Sequence, residues 1–256
     1  MSLALDLPRL ETTLRLPAQD ELQQLLQGLL QPSARIDSKY LYDDRGCELF
    51  TDICRLDEYY PTRTEAHIFS DHRDAIAAQL PDNPQWIDLG CGDCSKTLTW
   101  LDAVQPARVI GVDIAGEFLH SSMAAVARAN PELECVGVVC DFTQHLELQE
   151  LLAERPTNPP VFFYPGSSIG NFEPRDAMRF LRRIRALSGE HGRLLIGADL
   201  LKPRAILEAA YDDASGVTAA FNLNILNVVN RELGAVFQPE LFRHQAHFDE
   251  AHRRIE

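Results

Sequence analysis

The sequence predicts an α/β fold, in which helices cover both faces of a doubly wound, mainly parallel sheet. From about residue 84 onward, short segments rich in Val and Ile alternate with longer segments whose apolar residues recur at helical spacing. The short segments are apolar on both faces, as strands buried between two helical layers must be. This alternation is typical of right-handed strand–helix–strand units, which build parallel sheets.

The alternating region contains five predicted strands separated by four predicted helices. The strands are expected at residues 85–89, 107–112, 133–140, 161–164 and 193–198, and the helices at 95–104, 117–129, 145–154 and 174–187. Further helical patterns follow at 203–211 and up to residue 233. Residues 245–256 have the pattern of a strand or turn that enters another strand, and we expect the antiparallel pair at the sheet edge to lack its remaining partner.

The segment before the sheet is predicted to be helical. Leucines at 22, 25, 26, 29 and 30 share one helical face, so residues 1–40 are expected to form an extension with one amphipathic helix. A later helix is expected to end near residue 79. Pro61 is expected to exclude Tyr60 from that helix, and Thr62 or Thr64 is expected to cap its start.

The composition excludes several classes of partner. The chain has 256 residues and a formal net charge of −14, and a surface of that charge repels nucleic-acid phosphates. Apolar runs stay shorter than the roughly 18 residues that a membrane span requires. Residues 1–6 carry an acid where a signal peptide would carry Lys or Arg. We therefore expect a cytoplasmic protein with no nucleic-acid or membrane partner, and the sequence indicates no oligomeric state.

Six cysteines raise the question of a metal or redox site. Cys91 and Cys94 have the C-x-x-C spacing of zinc and redox motifs. Structural zinc needs four ligands, and the sequence has no second pair with matching spacing. Cys135 and Cys140 lie on one predicted strand and should face opposite sides. We therefore predict reduced, packed cysteines and no metal site.

The strongest candidate site follows the first predicted strand. There, residues 86–89 lead into Gly90-Cys-Gly92, and a helix is predicted to begin at Ser95. Glycines let the backbone turn sharply and approach a ligand, and a helix N-terminus offers free N–H groups. A dinucleotide fingerprint would carry Gly or Ala at position 95, so the serine weakens that interpretation. Glycine also occurs in turns that bind nothing.

Acids at the tips of the next two strands reduce the range of ligands that the glycine turn is expected to bind. Asp113 lies 23 residues after Gly90, where a carboxylate can accept hydrogen bonds from both ribose hydroxyls. Asp141 followed by Phe142 suits an adenine, because the acid can bind its exocyclic amine while the ring packs on a face. An aspartate in a solvent-facing loop or at a helix cap would produce the same sequence pattern. Together with the glycine turn, the two acids favour an adenosyl ligand.

A Gly/Ser loop after the fourth strand carries a further candidate, Asn171. In a doubly wound sheet this loop lies at the carboxyl edge, beside the crevice where ligands bind. An Asn there can contact the amine or carboxylate of a substrate, or serve only as a loop residue.

Five strings add a resemblance to these patterns. They are Tyr42-Asp-Asp-Arg-Gly-Cys-Glu-Leu-Phe, Glu58-Tyr-Tyr-Pro-Thr-Arg-Thr-Glu65, Asp141-Phe-Thr, Gly166-Ser-Ser-Ile-Gly-Asn171 and Ala210-Tyr-Asp-Asp-Ala-Ser-Gly-Val-Thr-Ala-Ala-Phe-Asn222. With them the chain resembles the L-histidine Nα-methyltransferase family of ergothioneine biosynthesis from about Ser38 onward. The resemblance implies a Rossmann-like class I methyltransferase that uses S-adenosylmethionine and acts on the α-amino group of an amino acid.

The resemblance also implies residue roles. Tyr42 and Tyr59 would line the amino-acid pocket, while Asn171 and Tyr211 would hold the substrate's carboxylate and amine and serve as catalytic residues. Tyrosines suit this task, because they donate hydrogen bonds without adding a competing charge. The residues implied around S-adenosylmethionine are Gly90, Gly92, Lys96, Asp113, Asp141 and Phe142.

The resemblance divides the chain into three predicted parts. Residues 1–83 would form a helical segment that contributes to the substrate pocket, 84–200 the cofactor-binding core, and 201–256 a helical substrate-binding segment. In the family, the carboxylate that recognises the imidazole follows an Ile-Glu-Met string, whereas this sequence ends at Ile255-Glu256. We therefore expect that part of the substrate-binding segment to be missing.

Three functions compete on the sequence alone. The first is an amino-acid N-methyltransferase that converts L-histidine to its trimethyl betaine. The second is a family methyltransferase with another amino acid or small amine as substrate, and the third is a cofactor-binding domain without turnover. A nicotinamide oxidoreductase fits less well, because the glycine spacing differs and a Tyr-x-x-x-Lys pair is absent from the sequence.

Overall fold

The computed structural model describes residues 9–12 and 18–256. Residues 1–8 and 13–17, which belong to the predicted N-terminal extension, lie outside the described residues. The described chain divides into two compact units. The first unit contains residues 9–12 and 65–198, and the second contains residues 18–64 and 199–256. The three-part division by function stays a prediction.

A parallel sheet forms the centre of the first unit. Its strands are β1 (Arg9–Thr12), β2 (Gln85–Leu89), β3 (Arg108–Asp113), β4 (Glu134–Val139), β5 (Pro160–Tyr164) and β6 (Arg193–Ile196). Within the described residues their order is β1-β4-β3-β2-β5-β6, and every neighbouring pair is parallel. The order changes direction between β2 and β5, and ligands of open α/β sheets bind outside the carboxyl ends of the strands at such a point.

Helices cover the sheet on both faces, which confirms the predicted doubly wound fold. Adjacent residues of β2 show this, because Ile87 packs in the same apolar layer as Phe180 whereas Trp86 packs with Trp100 and Met123 in the other. The helices that carry residues of this unit are α3 (Tyr60–Ala77), α4 (Ser95–Leu98), α5 (Leu101–Val104), α6 (Gly116–Ala129), α7 (Gln149–Ala153) and α8 (Pro174–Ser188).

The five strands predicted from the alternating pattern are confirmed within one or two residues at each end. Strand β1 was not predicted, because residues 1–40 were expected to contain only a helix. It pairs in register with β4, Arg9 opposite Val136, at the edge of the sheet. The helix expected over residues 95–104 is wrong as one element. Backbone bonds from Thr99 to Lys96 and from Trp100 to Thr97 tighten the turn between α4 and α5.

Two further expectations about helix limits are wrong. Tyr60 is the first residue of α3, and Pro61 follows it within the first helical turn. Proline is tolerated there because an N–H in the first turn has no intrahelical acceptor to lose. Helix α7 begins only at Gln149, since residues 145–148 follow a turn in which the His145 N–H donates to the carbonyl oxygen of Asp141.

The second unit contains helices and one hairpin. Its helices are α1 (Ala18–Leu29), α2 (Asp44–Ile53), α9 (Arg204–Tyr211) and α10 (Val217–Leu233), and its hairpin joins β7 (Phe248–Asp249) to β8 (Arg254–Ile255). The amphipathic α1 and the strand-turn-strand pattern near the C-terminal end are thereby confirmed. Asp213 caps α10 by accepting hydrogen bonds from the N–H groups of Val217 and Thr218. Burial alone would raise the pKa of Asp213, but the hydrogen bond from the Ser215 hydroxyl group, together with those from Thr218 and Val217, outweighs burial and lowers that pKa.

A buried arginine ties the amino ends of the strands together in the first unit. The Arg108 side chain is fully buried and donates to Gln85 Oε1, to Glu154 and to the carbonyl oxygen of Leu151. Arg9 binds the same Glu154 carboxylate from an exposed position, with 51% of its side chain accessible.

We expect Arg108→Met to lower the free energy of unfolding by about 3–5 kcal/mol, because it leaves buried acceptors without a donor. Arg9→Met is the matched control, and it should cost less than about 1 kcal/mol because an exposed pair is screened by solvent. Urea denaturation of both variants measures the difference. Equal losses would show that the burial of Arg108 does not govern its contribution.

Candidate active site

The turn after β2 has a left-handed backbone. Gly90 and Gly92 adopt φ values of +71° and +52°, and Cys94 adopts +58°. The N–H of Gly90 donates to the carbonyl oxygen of Val112 on β3 over 2.8 Å, which anchors the start of the turn to the neighbouring strand. A Cβ on Gly92 would meet no atom within 4 Å, so the turn leaves open space beside its backbone.

Asp113 lies directly against this turn. Its Oδ2 accepts a hydrogen bond from the N–H of Gly92 over 3.1 Å, and its Oδ1 accepts one from the N–H of Ala115 over 3.0 Å. The side chain is partly exposed. The structure therefore brings together the glycine turn and the acid at the tip of β3, as the sequence predicted.

Asp141 and Phe142 follow β4 at the same edge of the sheet. Asp141 Oδ1 accepts hydrogen bonds from the backbone N–H and the hydroxyl group of Thr143, which hold the carboxylate at the strand tip. The Phe142 ring packs beside Gly90, since a Cβ on that glycine would lie 3.6 Å from the ring. Phe142 also contacts Tyr164 edge to face, with ring centroids 5.8 Å apart.

Lys96, on the short helix after the turn, pairs with an acid that sequence reasoning did not assign. Its Nζ lies 2.5 Å from Glu65 Oε2, and the other oxygen of Glu65 accepts the N–H of Gly166 over 2.6 Å. Glu65 is the last residue of the Glu58–Glu65 string. That string supports the family resemblance, but no binding or catalytic role was predicted for Glu65. Its partners follow β2 and β5, far away in sequence.

A second acid that sequence reasoning missed lies inside β2. Asp88 is buried and accepts a hydrogen bond from the Thr97 hydroxyl group over 2.7 Å, while Thr97 Oγ1 accepts one from Trp86 Nε1 over 2.9 Å. Burial raises the pKa of Asp88 to about 7, although the Thr97 hydrogen bond lowers it in part. This chain of bonds fixes the start of α4 to the strand that precedes the turn.

The loop after β5 carries Asn171. A 3₁₀ turn spans Ser168–Asn171, and Asn171 is exposed at its end. The Ser168 hydroxyl group donates to the carbonyl oxygen of Pro165, and the N–H of Gly170 donates to that of Ser167, so local bonds shape the loop. The carboxyl ends of β2 and β5 are neighbours in the sheet, which puts this loop at the switch point of the first unit.

Three tyrosines of the predicted substrate pocket lie in one aromatic cluster of the second unit. Tyr42 contacts Phe50 and Phe221 with ring centroids 5.6 and 5.7 Å apart, and Tyr59 contacts Tyr211 at 5.9 Å. Burial raises the pKa of Tyr42 to about 12 and also raises the pKa values of Tyr59 and Tyr211. All three side chains therefore stay neutral hydroxyl donors at physiological pH.

The same unit holds a polar group that the sequence did not suggest. The Tyr60 hydroxyl group donates to Asp199, which also pairs with Lys202, and the Lys202 ammonium group lies 4.6 Å from the Tyr60 ring centroid. Burial and the hydrogen bond to Asp199 raise the pKa of Tyr60. A signal existed, because Asp199 follows the last predicted strand as Asp113 follows the second.

The cysteines agree with their predicted packing role. Cys91 and Cys94 are buried free thiols, and a hydrogen bond between them together with burial raises the pKa of Cys91. Cys135 and Cys140 pack into opposite layers of the sheet. A thiol with a raised pKa is a poor nucleophile and a poor redox group at neutral pH.

Comparison with known proteins decides the family. A family model described as "Histidine-specific methyltransferase, SAM-dependent" matches residues 21–256. The chain belongs to this family. The resemblance seen in the five sequence strings is confirmed, and the protein is an S-adenosylmethionine-dependent amino-acid N-methyltransferase.

Curated relatives support this membership. Histidine N-alpha-methyltransferase of Mycolicibacterium smegmatis is 39% identical over 234 residues, which cover 90% of this chain and 71% of that protein. Ergothioneine biosynthesis protein 1 of Schizosaccharomyces pombe is 34% identical over 220 residues, covering 81% of this chain and 28% of that protein. N-methyltransferase imqF of Aspergillus flavus is 26% identical over 230 residues, covering 86% of this chain and 62% of that protein.

Across residues 9–12 and 18–256, helices lack the combined length and apolarity that a bilayer span needs.

The buried Asp88 generates a pH prediction. Its pKa is raised in the folded state, so the stability that it contributes is complete below pH 4 and is lost as the pH rises through about 7. Between those limits, the unfolding free energy of the wild type should fall relative to that of Asp88→Asn by about 4 kcal/mol at most. Asp71→Asn, at an exposed position on α3, is the control. Parallel curves of unfolding free energy against pH for wild type and Asp88→Asn would contradict the assignment.

Proposed function

We propose that this chain transfers methyl groups from S-adenosylmethionine to the α-amino group of L-histidine, repeatedly, to give the trimethyl betaine. Membership of the histidine-specific family carries the proposal, since the family model matches residues 21–256. Relatives named histidine N-alpha-methyltransferase and ergothioneine biosynthesis protein 1 support the same substrate and pathway.

The residues of the first unit fit S-adenosylmethionine. The open backbone beside Gly92 suits a group that approaches the turn closely, and Asp113 suits the ribose hydroxyls. Asp141 and Phe142 suit the adenine, whereas Lys96 offers a cation for the methionine carboxylate. When bound, the cofactor supplies a sulfonium-activated methyl group to a nucleophile in line with it.

The chain's own contribution to the reaction is alignment and exclusion of competing charge. Holding the amine in near-attack geometry contributes on the order of 7–11 kcal/mol in well-oriented systems. The amine must be neutral to attack, and α-amino groups titrate near pH 8 in peptides. We assign Asn171 and the neutral tyrosines Tyr42, Tyr59 and Tyr211 to binding the amino acid through hydrogen bonds. A carboxylate beside the amine would stabilise its protonated form, whereas the neutral tyrosine hydroxyl groups add no such charge.

A second candidate keeps the chemistry and changes the substrate. Relatives named N-methyltransferase imqF and 4-dimethylallyltryptophan N-methyltransferase easF match this chain at 26% and 24% identity. Both identities are lower than the 39% of the relative named for histidine. Histidine therefore remains the favoured amine.

Asp113→Asn tests the cofactor assignment. It keeps the size of the side chain but replaces one acceptor oxygen by a donor, so we expect S-adenosylmethionine to bind at least about tenfold more weakly. Isothermal titration calorimetry measures the dissociation constant, and Glu132→Gln, an exposed change in the same unit, is the control. Unchanged affinity in Asp113→Asn would exclude Asp113 as the ribose acid.

Asn171→Ala and Tyr211→Phe test the substrate assignment. Each removes one hydrogen-bonding group, so we expect kcat/KM for histidine to fall by about tenfold or more while the dissociation constant of S-adenosylmethionine stays within about twofold. Mass spectrometry of the methylated products measures turnover. Wild-type kinetics in both variants would remove these residues from the substrate site.

A further inference from the structure

Glu65 joins two loops of the first unit through the two oxygens of one carboxylate. Oε2 lies 2.5 Å from Lys96 Nζ, and Oε1 accepts the N–H of Gly166 over 2.6 Å. Only 13% of the Glu65 side chain is exposed. Lys96 follows the glycine turn after β2, whereas Gly166 begins the loop that leads to Asn171 after β5.

The fold leaves a space that this carboxylate fills. Gly197 continues the pairing beyond β6, because its N–H donates to the carbonyl oxygen of Tyr164 over 3.0 Å. A Cβ on Gly197 would lie 2.4 Å from Glu65 Oε1 and 3.1 Å from the Gly166 nitrogen. A glycine is therefore required at the end of β6 for the carboxylate to lie among the ends of β2, β5 and β6.

The ion pair leaves Lys96 able to bind a second anion. An ammonium group has three N–H donors, and 39% of the Lys96 side chain remains accessible. Because one of its N–H groups already binds Glu65, the Lys96 side chain has lost much of its rotamer freedom before a ligand arrives. Ligand binding therefore costs less conformational entropy. The opposing effect is repulsion between Glu65 and an anionic ligand, and the exposure of Lys96 weakens it through solvent screening.

We propose that Glu65 is a positioning residue, which orients Lys96 for the carboxylate of S-adenosylmethionine and fixes the loop of Asn171 through Gly166. This inference rests on the proposed function for the identity of the cofactor and of the loop. It adds a residue that couples the cofactor turn to the substrate loop. A purely structural Glu65 would instead hold strand ends together without affecting ligand binding once the protein is folded.

Glu65→Gln separates the two roles. Glutamine keeps the shape and an acceptor for the Gly166 N–H but removes the charge that holds Lys96. We expect the dissociation constant of S-adenosylmethionine to rise by about tenfold while the melting temperature changes little. Glu190→Gln makes the same chemical change at an exposed site before β6, at the opposite end of that strand, and should bind the cofactor as wild type does.

A double-mutant cycle with Lys96→Met shows whether Glu65 acts through Lys96. We expect Lys96→Met to weaken cofactor binding, and Glu65→Gln to add no further loss in that background. Gly197→Ala provides an independent route, because its Cβ displaces the Glu65 carboxylate without removing it. It should weaken cofactor binding as Glu65→Gln does, and it keeps the test available if Glu65→Gln does not fold.

The decisive readout is calorimetric binding of S-adenosylmethionine to the folded variants, with kcat and KM for methyl transfer measured beside it. The proposal is supported if Glu65→Gln weakens cofactor binding in the wild-type background but causes no further loss in the Lys96→Met background. Unchanged or tighter binding in Glu65→Gln, or additive losses in the double variant, overturns it. Cofactor binding can be measured without an amine substrate. A wild-type protein that binds the cofactor but does not methylate histidine would therefore contradict the proposed function, whereas the role of Glu65 would still be decided by the binding measurements.

Discussion

The left-handed backbone at the end of β2 is the constraint on which the rest of the site depends. Gly90 and Gly92 turn the chain within three residues, and the N–H of Gly92 then points at Asp113 on the neighbouring strand. The helix that follows must start where Lys96 can reach Glu65. Larger side chains at the two glycines would strain the positive φ values, and they would also occupy the space beside the turn.

Strand order converts this local turn into a site. Because β2, β3, β4 and β5 are parallel strands of one sheet, the residues at their carboxyl ends meet at one edge. Asp113, Phe142 and Gly166 thereby approach the turn from different parts of the chain. Buried hydrogen bonds from Trp86 to Thr97 and from Thr97 to Asp88 hold the helix that follows the turn against β2.

Periodicity and spacing were sufficient for the parts of the structure that local sequence controls. The five strands of the alternating region follow from that pattern, and parallel strands joined by right-handed crossovers bring the acids Asp113 and Asp141 to one edge of the sheet. Strand β1 could not be predicted in this way, because four residues at a sheet edge carry little periodic signal and pair with β4 far along the chain. Glu65 was missed for the same reason, since its two partners lie 31 and 101 residues away. The first turn of α3 was misjudged because a proline signals a break only inside a helix.

Competition between amino acids shows whether this protein methylates the α-amino group of histidine in preference to other amines. The wild-type protein is incubated with S-adenosylmethionine and an equimolar mixture of the common amino acids, and the methylated products are identified by mass spectrometry. We expect mono-, di- and trimethylated histidine as the dominant products, together with S-adenosylhomocysteine in matching amount. Methylation of another amine in preference to histidine, or cofactor binding without any methylated amino acid, would contradict this expectation.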